Sequence, residues 1–395
     1  MSLSYDVVVI GAGVIGTSVA YHLVRKGFKV ALVERGGIAA GTSSRCDAVA
    51  LICDKKPGID TEIGYRSIQL FQELARELSE DFEFSTRGSL YVCETEQEMA
   101  IAKDYVQQQV NNGYVMQMMD NKEILEIEPY LAKDLIGGIW TEVDSTMNPY
   151  KLCFAFVAEA QKMGLDLFDY HEVIDIELNE KKEVQAVLTD RGKIKTKNVV
   201  NCAGVWSPII SEYVNIPIPI KPRKGLVLVS EITSLSLAKQ KVHEFGYMLS
   251  KFEDIDYQRN VSELVASHNV AFTIEPTEVG NYLVGGHRAF KGYDISSEID
   301  VMKAIAERAI RFIPKLADVQ CIRAYAGIRP WVEDHLPIVS GVESVPGYYI
   351  ASGHEGDGIS MSPITGRMVA QILANEPTDF NIDRLNYNRY LKTTV

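Results

Sequence analysis

DVVVIGAGVIGTSVAYHLVRKGFKVALVE, residues 6–34, is the stretch on which the architecture turns. Residues 6–10 form a short β-branched apolar run, the pattern of a parallel strand buried on both faces. GAGVIG follows at residues 11–16, and the next ten residues carry apolar side chains at helical spacing until Gly27 stops them. KVALVE then supplies a second strand ending in Glu34. The whole reads as a strand, a helix and a strand, with the glycines at the first turn. Gly11 permits the tight turn, Gly13 lets a pyrophosphate approach the backbone, and Gly16 lets helix and strand pack closely. Glu34 is placed to hydrogen-bond a ribose hydroxyl and would repel a 2′-phosphate. This arrangement points to a dinucleotide and leaves FAD and NAD open. The next loop, RGGIAAGTSSRCDA, offers the small hydroxyls of Thr42, Ser43 and Ser44 beside free amides, which suits a second pass along a longer cofactor than NAD.

The rest of the chain has room for such a cofactor and a second domain. Its 395 residues, 46% hydrophobic and 24% charged, describe an ordinary globular protein of two domains. A net charge of −13 argues against a nucleic-acid or anionic-membrane surface, so an anionic substrate requires a local positive group. The six cysteines include no C-x-x-C pair and no zinc spacing, so they read as reduced thiols in a cytoplasmic protein, and no metal site is expected. The amino terminus lacks the basic region of a signal peptide, and no apolar run approaches the ~20 residues of a membrane span.

Amphipathic helices are expected over residues 66–78, 98–111, 148–164 and 298–312, and short strands over 166–202 around a turn at 190–192. NVVNCAG, residues 198–204, reads as a buried strand whose small-residue end faces the cofactor crevice. Cys202 beside it is a possible nucleophile, but no basic partner is visible and a buried filler is the better reading. Residues 221–288 turn to strands (KGLVLVSEI, YMLSKF, VAFTIEPTE, NYLVGGHRAF), the texture of a β-rich substrate domain. Near the end, GYYIASGHEGDGISMSPITGRMVAQIL repeats the strand, glycine turn and helix of the amino terminus. Its helix is expected from Ser362 as N-cap or Pro363 as first residue, with an earlier start near Gly358 as the alternative.

Taken in order, GAGVIG, Glu34, GTSS, NCAGVWS, GIRP and GHEGDGI resemble the D-amino acid oxidase, glycine oxidase and sarcosine oxidase family of FAD enzymes over nearly the whole chain. Within it the chain is most similar to the glycine oxidase, sarcosine or proline dehydrogenase β-subunit and hydrogen cyanide synthase group. The resemblance implies an α/β fold: a Rossmann-like FAD-binding domain of glutathione reductase type, interleaved with an α+β substrate domain on an antiparallel sheet. The expected boundaries are 1–85, 145–220 and 320–395 for the first domain, and 86–144 and 221–319 for the second. The resemblance also assigns the cofactor contacts. Gly11, Ala12, Gly13, Val14, Ile15 and Gly16, with Glu34 and Arg35, would hold the ADP half, joined by Gly41, Thr42, Ser43 and Ser44. Val173 would lie by the adenine, with Ala203, Gly204 and Trp206 along the cofactor. Gly353, His354, Glu355, Gly356, Asp357, Gly358 and Ile359 would lie beneath the isoalloxazine.

Arg329, in GIRP, stands where the family's arginine pairs with the substrate carboxylate, and Tyr247 most nearly matches a substrate-contacting tyrosine, although its expected strand lacks the family's proline. Where monomeric sarcosine oxidases carry a flavin-linking cysteine this chain has Gly327, so FAD is expected to be noncovalent. RCDAVALICDKKPG also departs from the family after GTSS, leaving open what faces the flavin there. A guanidinium gives a carboxylate two parallel donors, which lysine cannot match; a structural ion pair is the competing role for Arg329. His354 is a candidate to approach flavin or substrate, whereas Glu355 and Asp357 read as solvent-facing or capping carboxylates at a helix start. The expected reaction is oxidation of a small or secondary amino acid, such as glycine, sarcosine, proline, hydroxyproline or a D-amino acid, by hydride transfer from the α-carbon to flavin N5. The alternatives are an FAD-binding subunit that passes electrons to a partner, and an NAD-linked dehydrogenase. A small amino acid is the expected ligand, with partner subunits or a homo-oligomer possible.

Overall fold

The computed structural model describes residues 3–47, 49–249, 255 and 257–393. Its first sheet has six strands in the order Asp166–Phe168, Val30–Val33, Val7–Ile10, Val199–Asn201, Tyr348–Ser352 and Ile338–Gly341. All neighbours are parallel except the last pair. The alternation within Val7–Ile10 explains the layering. Val7 and Val9 enter a core with the helices Val14–Arg25, Ile59–Glu77, Pro149–Lys162 and Gly358–Leu373, while Val8 and Ile10 pack toward a four-stranded sheet that includes Val173–Leu178 and Val184–Thr189. Covered on both faces, the strand can be apolar throughout. Each fully buried valine contributes roughly 1.5–3 kcal/mol relative to exposure.

The helices Val14–Arg25 and Gly358–Leu373 lie against each other. A Cβ on Gly366 would stand 2.3 Å from Ser18 Oγ, and that hydroxyl donates to the carbonyl of Ser362 at 2.8 Å. This close approach aligns the two glycine-turn helices over one sheet. The second helix starts at Gly358, so Ser362 is not its N-cap and Pro363 lies in its interior. The Ile359 carbonyl, which a residue other than proline at 363 would bond, accepts from Ser362 Oγ at 3.0 Å instead, so the helix continues through the proline.

The second sheet has eight strands: Cys321–Trp331, Lys221–Ser230, Tyr282–His287, Val270–Pro276, Lys241–Glu244, Ser89–Cys93, Gly137–Thr141 and Gln117–Asp120. It is antiparallel apart from one parallel pair in its middle. One face is apolar: Leu90, Val92, Leu226, Leu228, Val242 and Ile274 pack with the helix Ile299–Phe312. The alternate residues of the same strands point toward the first domain, and many are polar. Cys321–Trp331, which follows the boundary expected at residue 320, is the edge strand of this sheet. Among the described residues, no helix is long and apolar enough to cross a membrane.

Candidate active site

Gly11 leaves the strand Val7–Ile10 at φ +101°, and a Cβ there would stand 2.7 Å from the Cys202 carbonyl oxygen. A Cβ on Gly16 would stand 1.8 Å from the Gly11 carbonyl, so helix and turn touch where no side chain fits. Gly13 is the N-cap of the helix Val14–Arg25, whose first turn holds no acidic residue. Its exposed amide end therefore favours an external anion. Ser43 Oγ takes one of these amides, that of Val14, at 3.0 Å. Glu34 accepts from the Ala12 and Gly36 amides, both at 2.9 Å, which fixes its carboxylate at the strand end.

These residues line one cavity of about 400 Å³, and the expected contacts divide clearly around it. From the first turn, Gly11, Gly13, Val14 and Ile15 line it, as do Glu34, Arg35, Gly41, Thr42 and Ser43. Val173, Ala203, Gly204 and Trp206 also line it, as do His354, Glu355, Gly356, Gly358 and Ile359. Trp206 is held between Tyr293, stacked at 6.1 Å, and the Arg35 guanidinium at 4.4 Å. Ala12, Gly16, Ser44, Gly353 and Asp357 stand outside the lining. Ala12 orients Glu34, Gly16 serves packing, and Ser44 Oγ turns back to the Gly41 carbonyl at 3.4 Å. Gly353 supplies the positive φ, +84°, that bends the chain out of the strand Tyr348–Ser352.

A second cavity of about 130 Å³ adjoins the first. Thr42, Arg45, Cys46, Asp47, Arg329 and Glu355 are among the residues common to both linings, so this is where the two spaces meet. Its floor is the polar face of the eight-stranded sheet, with Arg223, Lys241, His243, Thr273 and Arg329. Arg329 lies across from Arg223 in register, and Gly225 leaves it space: a Cβ there would stand 2.3 Å from Arg329 Nη1. That guanidinium donates to the His287 carbonyl at 3.1 Å. Among the described residues, Arg329 and Arg288 pair with no carboxylate, while Arg223 contacts Glu355. Burial, with Arg288 and Arg329 nearby, presses Arg223 down to about 9. The lining sets Arg45, Arg223, Lys241, Arg288 and Arg329 among the carboxylates Asp47, Asp54, Glu244, Glu355 and Asp357, so its charges balance, and Arg329 and Arg288 are cations there that no carboxylate of the described residues neutralises by direct pairing.

Several expectations need correcting. His354 is buried, its Nε2 lies 3.0 Å from Thr365 Oγ1, and burial lowers its pKa to about 3. Its backbone belongs to the glycine turn, but a ring so occupied and kept neutral is poorly suited to moving protons at physiological pH. Glu355 is largely buried rather than solvent-facing, and Asp357 stands at the N-cap position of the helix Gly358–Leu373, with its side chain turned to an ion pair instead of the helix amides. Glu355 pairs with Arg223 and lies 3.0 Å from His335 Nδ1, and Asp357 pairs with Lys55, which also holds Asp54 at 2.8 Å. Asp357 makes no side-chain cap bond. Tyr247 lines the smaller cavity from a helical turn, Phe245–Met248, with its ring 4.3 Å from the Arg288 guanidinium carbon. Residues 250–252 of its expected strand lie outside the described residues. Cys202 is a buried filler whose thiol burial pushes up, the reading preferred from the sequence. At Gly327 a Cβ would stand 2.1 Å from the Arg45 carbonyl, so backbone occupies the place of a flavin-linking side chain.

Asp47, Arg223, Lys241 and Arg288 went unnoticed in the sequence. For Arg223 and Lys241 the signal was charge set within a strand, as in KPRKGLVLVS, whereas Asp47 and Arg288 lie in connecting segments. The family model described as DAO, FAD dependent oxidoreductase, matches residues 6–372. Hydrogen cyanide synthase subunit HcnC of Pseudomonas aeruginosa is 27% identical, covering 97% of this chain and 95% of that protein. Glycine oxidase of Bacillus subtilis is 23% identical over 97% of this chain and 98% of its own length. Among solved structures, L-proline dehydrogenase from P. horikoshii superposes with a TM-score of 0.88 at 24% identity, covering 99% of each chain.

Proposed function

The chain belongs to the DAO family of FAD-dependent oxidoreductases, and on that premise we propose that it oxidises a small or secondary amino acid at its α-carbon. The observation that carries this reading is Arg329, a guanidinium without a carboxylate partner among the described residues, at the meeting of the two cavities. The larger cavity fits FAD: glycines at 11 and 13 where a side chain would fill the cradle, a helix amino terminus free of acids, and Glu34 held toward the ribose position. Bound there, FAD supplies the acceptor for a hydride at its N5.

The protein's own residues bind and orient. Arg329 offers two parallel donors to a carboxylate, and Arg288, which also pairs with no carboxylate among the described residues, adds positive charge in the same cavity. Holding the carboxylate fixes the α-carbon against one face of the junction, and that positioning supplies much of the rate. The sheet and the turn at residues 353–357 enclose the site, which strengthens each electrostatic contact. The crowding at Gly327 supports noncovalent attachment.

A second reading has a specific support: HcnC, so similar over its whole length, is named as a subunit. In that case the same oxidation occurs here and the electrons leave to a partner chain rather than to oxygen. The test is anaerobic titration of the FAD-loaded protein with glycine, sarcosine, L- and D-proline, hydroxyproline and D-alanine, read as bleaching of the flavin band near about 450 nm. Bleaching by at least one supports the proposal; a flavin that none of these or any wider amino-acid set bleaches would sink it. Oxygen consumption by the same protein then separates the oxidase from the subunit.

A further inference from the structure

Asp47 lies in the segment after GTSS that departs from the family pattern, and the fold carries it to the junction of the two cavities. Its Oδ2 accepts from Lys241 Nζ at 2.9 Å, and Lys241, itself 2% exposed, reaches Glu275 on the neighbouring strand at 2.8 Å. Two strands of the sheet thereby set the direction of the Asp47 carboxylate. Yet 36% of the Asp47 side chain remains exposed, and its Oδ1 makes no hydrogen bond among the described residues. Arg329, which among the described residues pairs with no carboxylate, lines the same junction, as does Arg45. A fixed anion and a fixed cation therefore face one small space, the charge pattern complementary to a molecule with a carboxylate and a cationic nitrogen on one carbon.

Resting on the amino-acid reading above, we propose that Asp47 receives the substrate's nitrogen while Arg329 holds its carboxylate. The chemistry gives this contact a catalytic consequence. When the α C–H bond breaks, its electron pair leaves with the hydrogen as a hydride to FAD, and the nitrogen lone pair forms the C=N bond. A neutral amine becomes a cationic iminium, so positive charge grows on the atom that Asp47 faces. A preset carboxylate there stabilises the transition state more than the amine that precedes it. Asp47 is not the proton acceptor that frees the amine: although burial opposes it, Lys241 and then Arg329 and His243 hold its carboxyl well below the usual carboxylate range. A carboxylate so weakly basic serves as an anchor, and the amine's proton leaves to solvent.

The test uses the FAD-loaded protein and pairs of probes alike in shape, one with an amine and one without: glycine and glycolate, sarcosine and methoxyacetate, proline and tetrahydrofuran-2-carboxylate in both enantiomers. Binding is read from the initial perturbation of the flavin spectrum without oxygen. Wild type is expected to hold the amine-bearing member roughly 10- to 100-fold more tightly in the best-fitting pair. Asp47→Asn should bring that ratio near one, whereas Arg329→Ala should weaken both members and keep the ratio. A wild-type ratio at or below one overturns the proposal whether or not the variant folds, and an unchanged ratio in Asp47→Asn overturns it as well. If no member of any pair binds, the amino-acid reading itself falls and takes the proposal with it.

Discussion

The two cavities that meet at Arg329 are built in opposite ways. The larger is a backbone site: glycine turns, two helix amino termini and one carboxylate held by amides shape it, and few of its side chains carry charge. The smaller is a side-chain site, with arginines, a lysine and carboxylates raised from the polar face of a sheet. A backbone site tolerates no added volume but is indifferent to most side-chain chemistry, whereas a side-chain site tolerates volume better than loss of one charge.

Four measurements would break or sharpen that contrast, and the first carries the largest effect. Gly16→Val places a branched side chain where even a Cβ would stand 1.8 Å from the Gly11 carbonyl. The expected result is loss of bound FAD or of folded protein, read as absence of flavin absorbance after purification. A variant that retains FAD at wild-type affinity would show that the turn yields. Arg329→Ala should do the reverse: it should keep FAD and lower kcat/KM roughly 100- to 1000-fold, the loss of a charge-assisted, two-pronged carboxylate contact. Normal kcat/KM in that variant would remove the clamp.

Asp144 tests the support behind the eight-stranded sheet, where it accepts from the Ile52 amide at 2.6 Å and from Ser89 Oγ on that sheet. Burial raises its pKa from 3.8 to about 7. The folded state thus binds this proton more tightly than the unfolded state, so the stability it contributes is complete below about pH 4 and is lost as pH rises toward 7. Asp144→Asn, which keeps an acceptor for Ile52, should flatten that decline by on the order of 2 kcal/mol, measured as Tm against pH in variant and parent. An identical pH profile in the two would exclude Asp144 as its source. Smallest of the four, Trp206→Ala removes the ring between Tyr293 and Arg35 and should weaken FAD by about 1 kcal/mol, near fivefold, without changing kcat for the loaded enzyme. A variant with unaltered FAD affinity would show that the ring does not support the cofactor.

The same contrast explains what could be read in advance. Gly11, Gly13, Gly16 and Glu34 act within one contiguous unit, so spacing alone identified them, and the carboxy-terminal turn repeated the pattern. Of residues 353–359, His354, Glu355, Gly356, Gly358 and Ile359 line the larger cavity, while the side chains of Glu355 and Asp357 take partners that the sequence did not indicate. The partners of Glu355 and Asp357, Arg223 and Lys55, come from segments far away in the chain, and nothing local announces them. Tyr247 was misassigned to a strand, although it does reach the smaller cavity. Arg329 was legible through its motif, but Arg223 opposite it emerges only from the pairing of Lys221–Ser230 with Cys321–Trp331.

The sequence by itself determined the dinucleotide turn, the paired glycine helices and the order of the motifs, because each depends on backbone freedom and periodicity within a few neighbouring residues. The tertiary structure alone decided which charges share the smaller cavity. Strand register chooses the face on which each side chain emerges, and the meeting of Asp47, Lys241 and Arg329 depends on segments that only the closed sheet brings together.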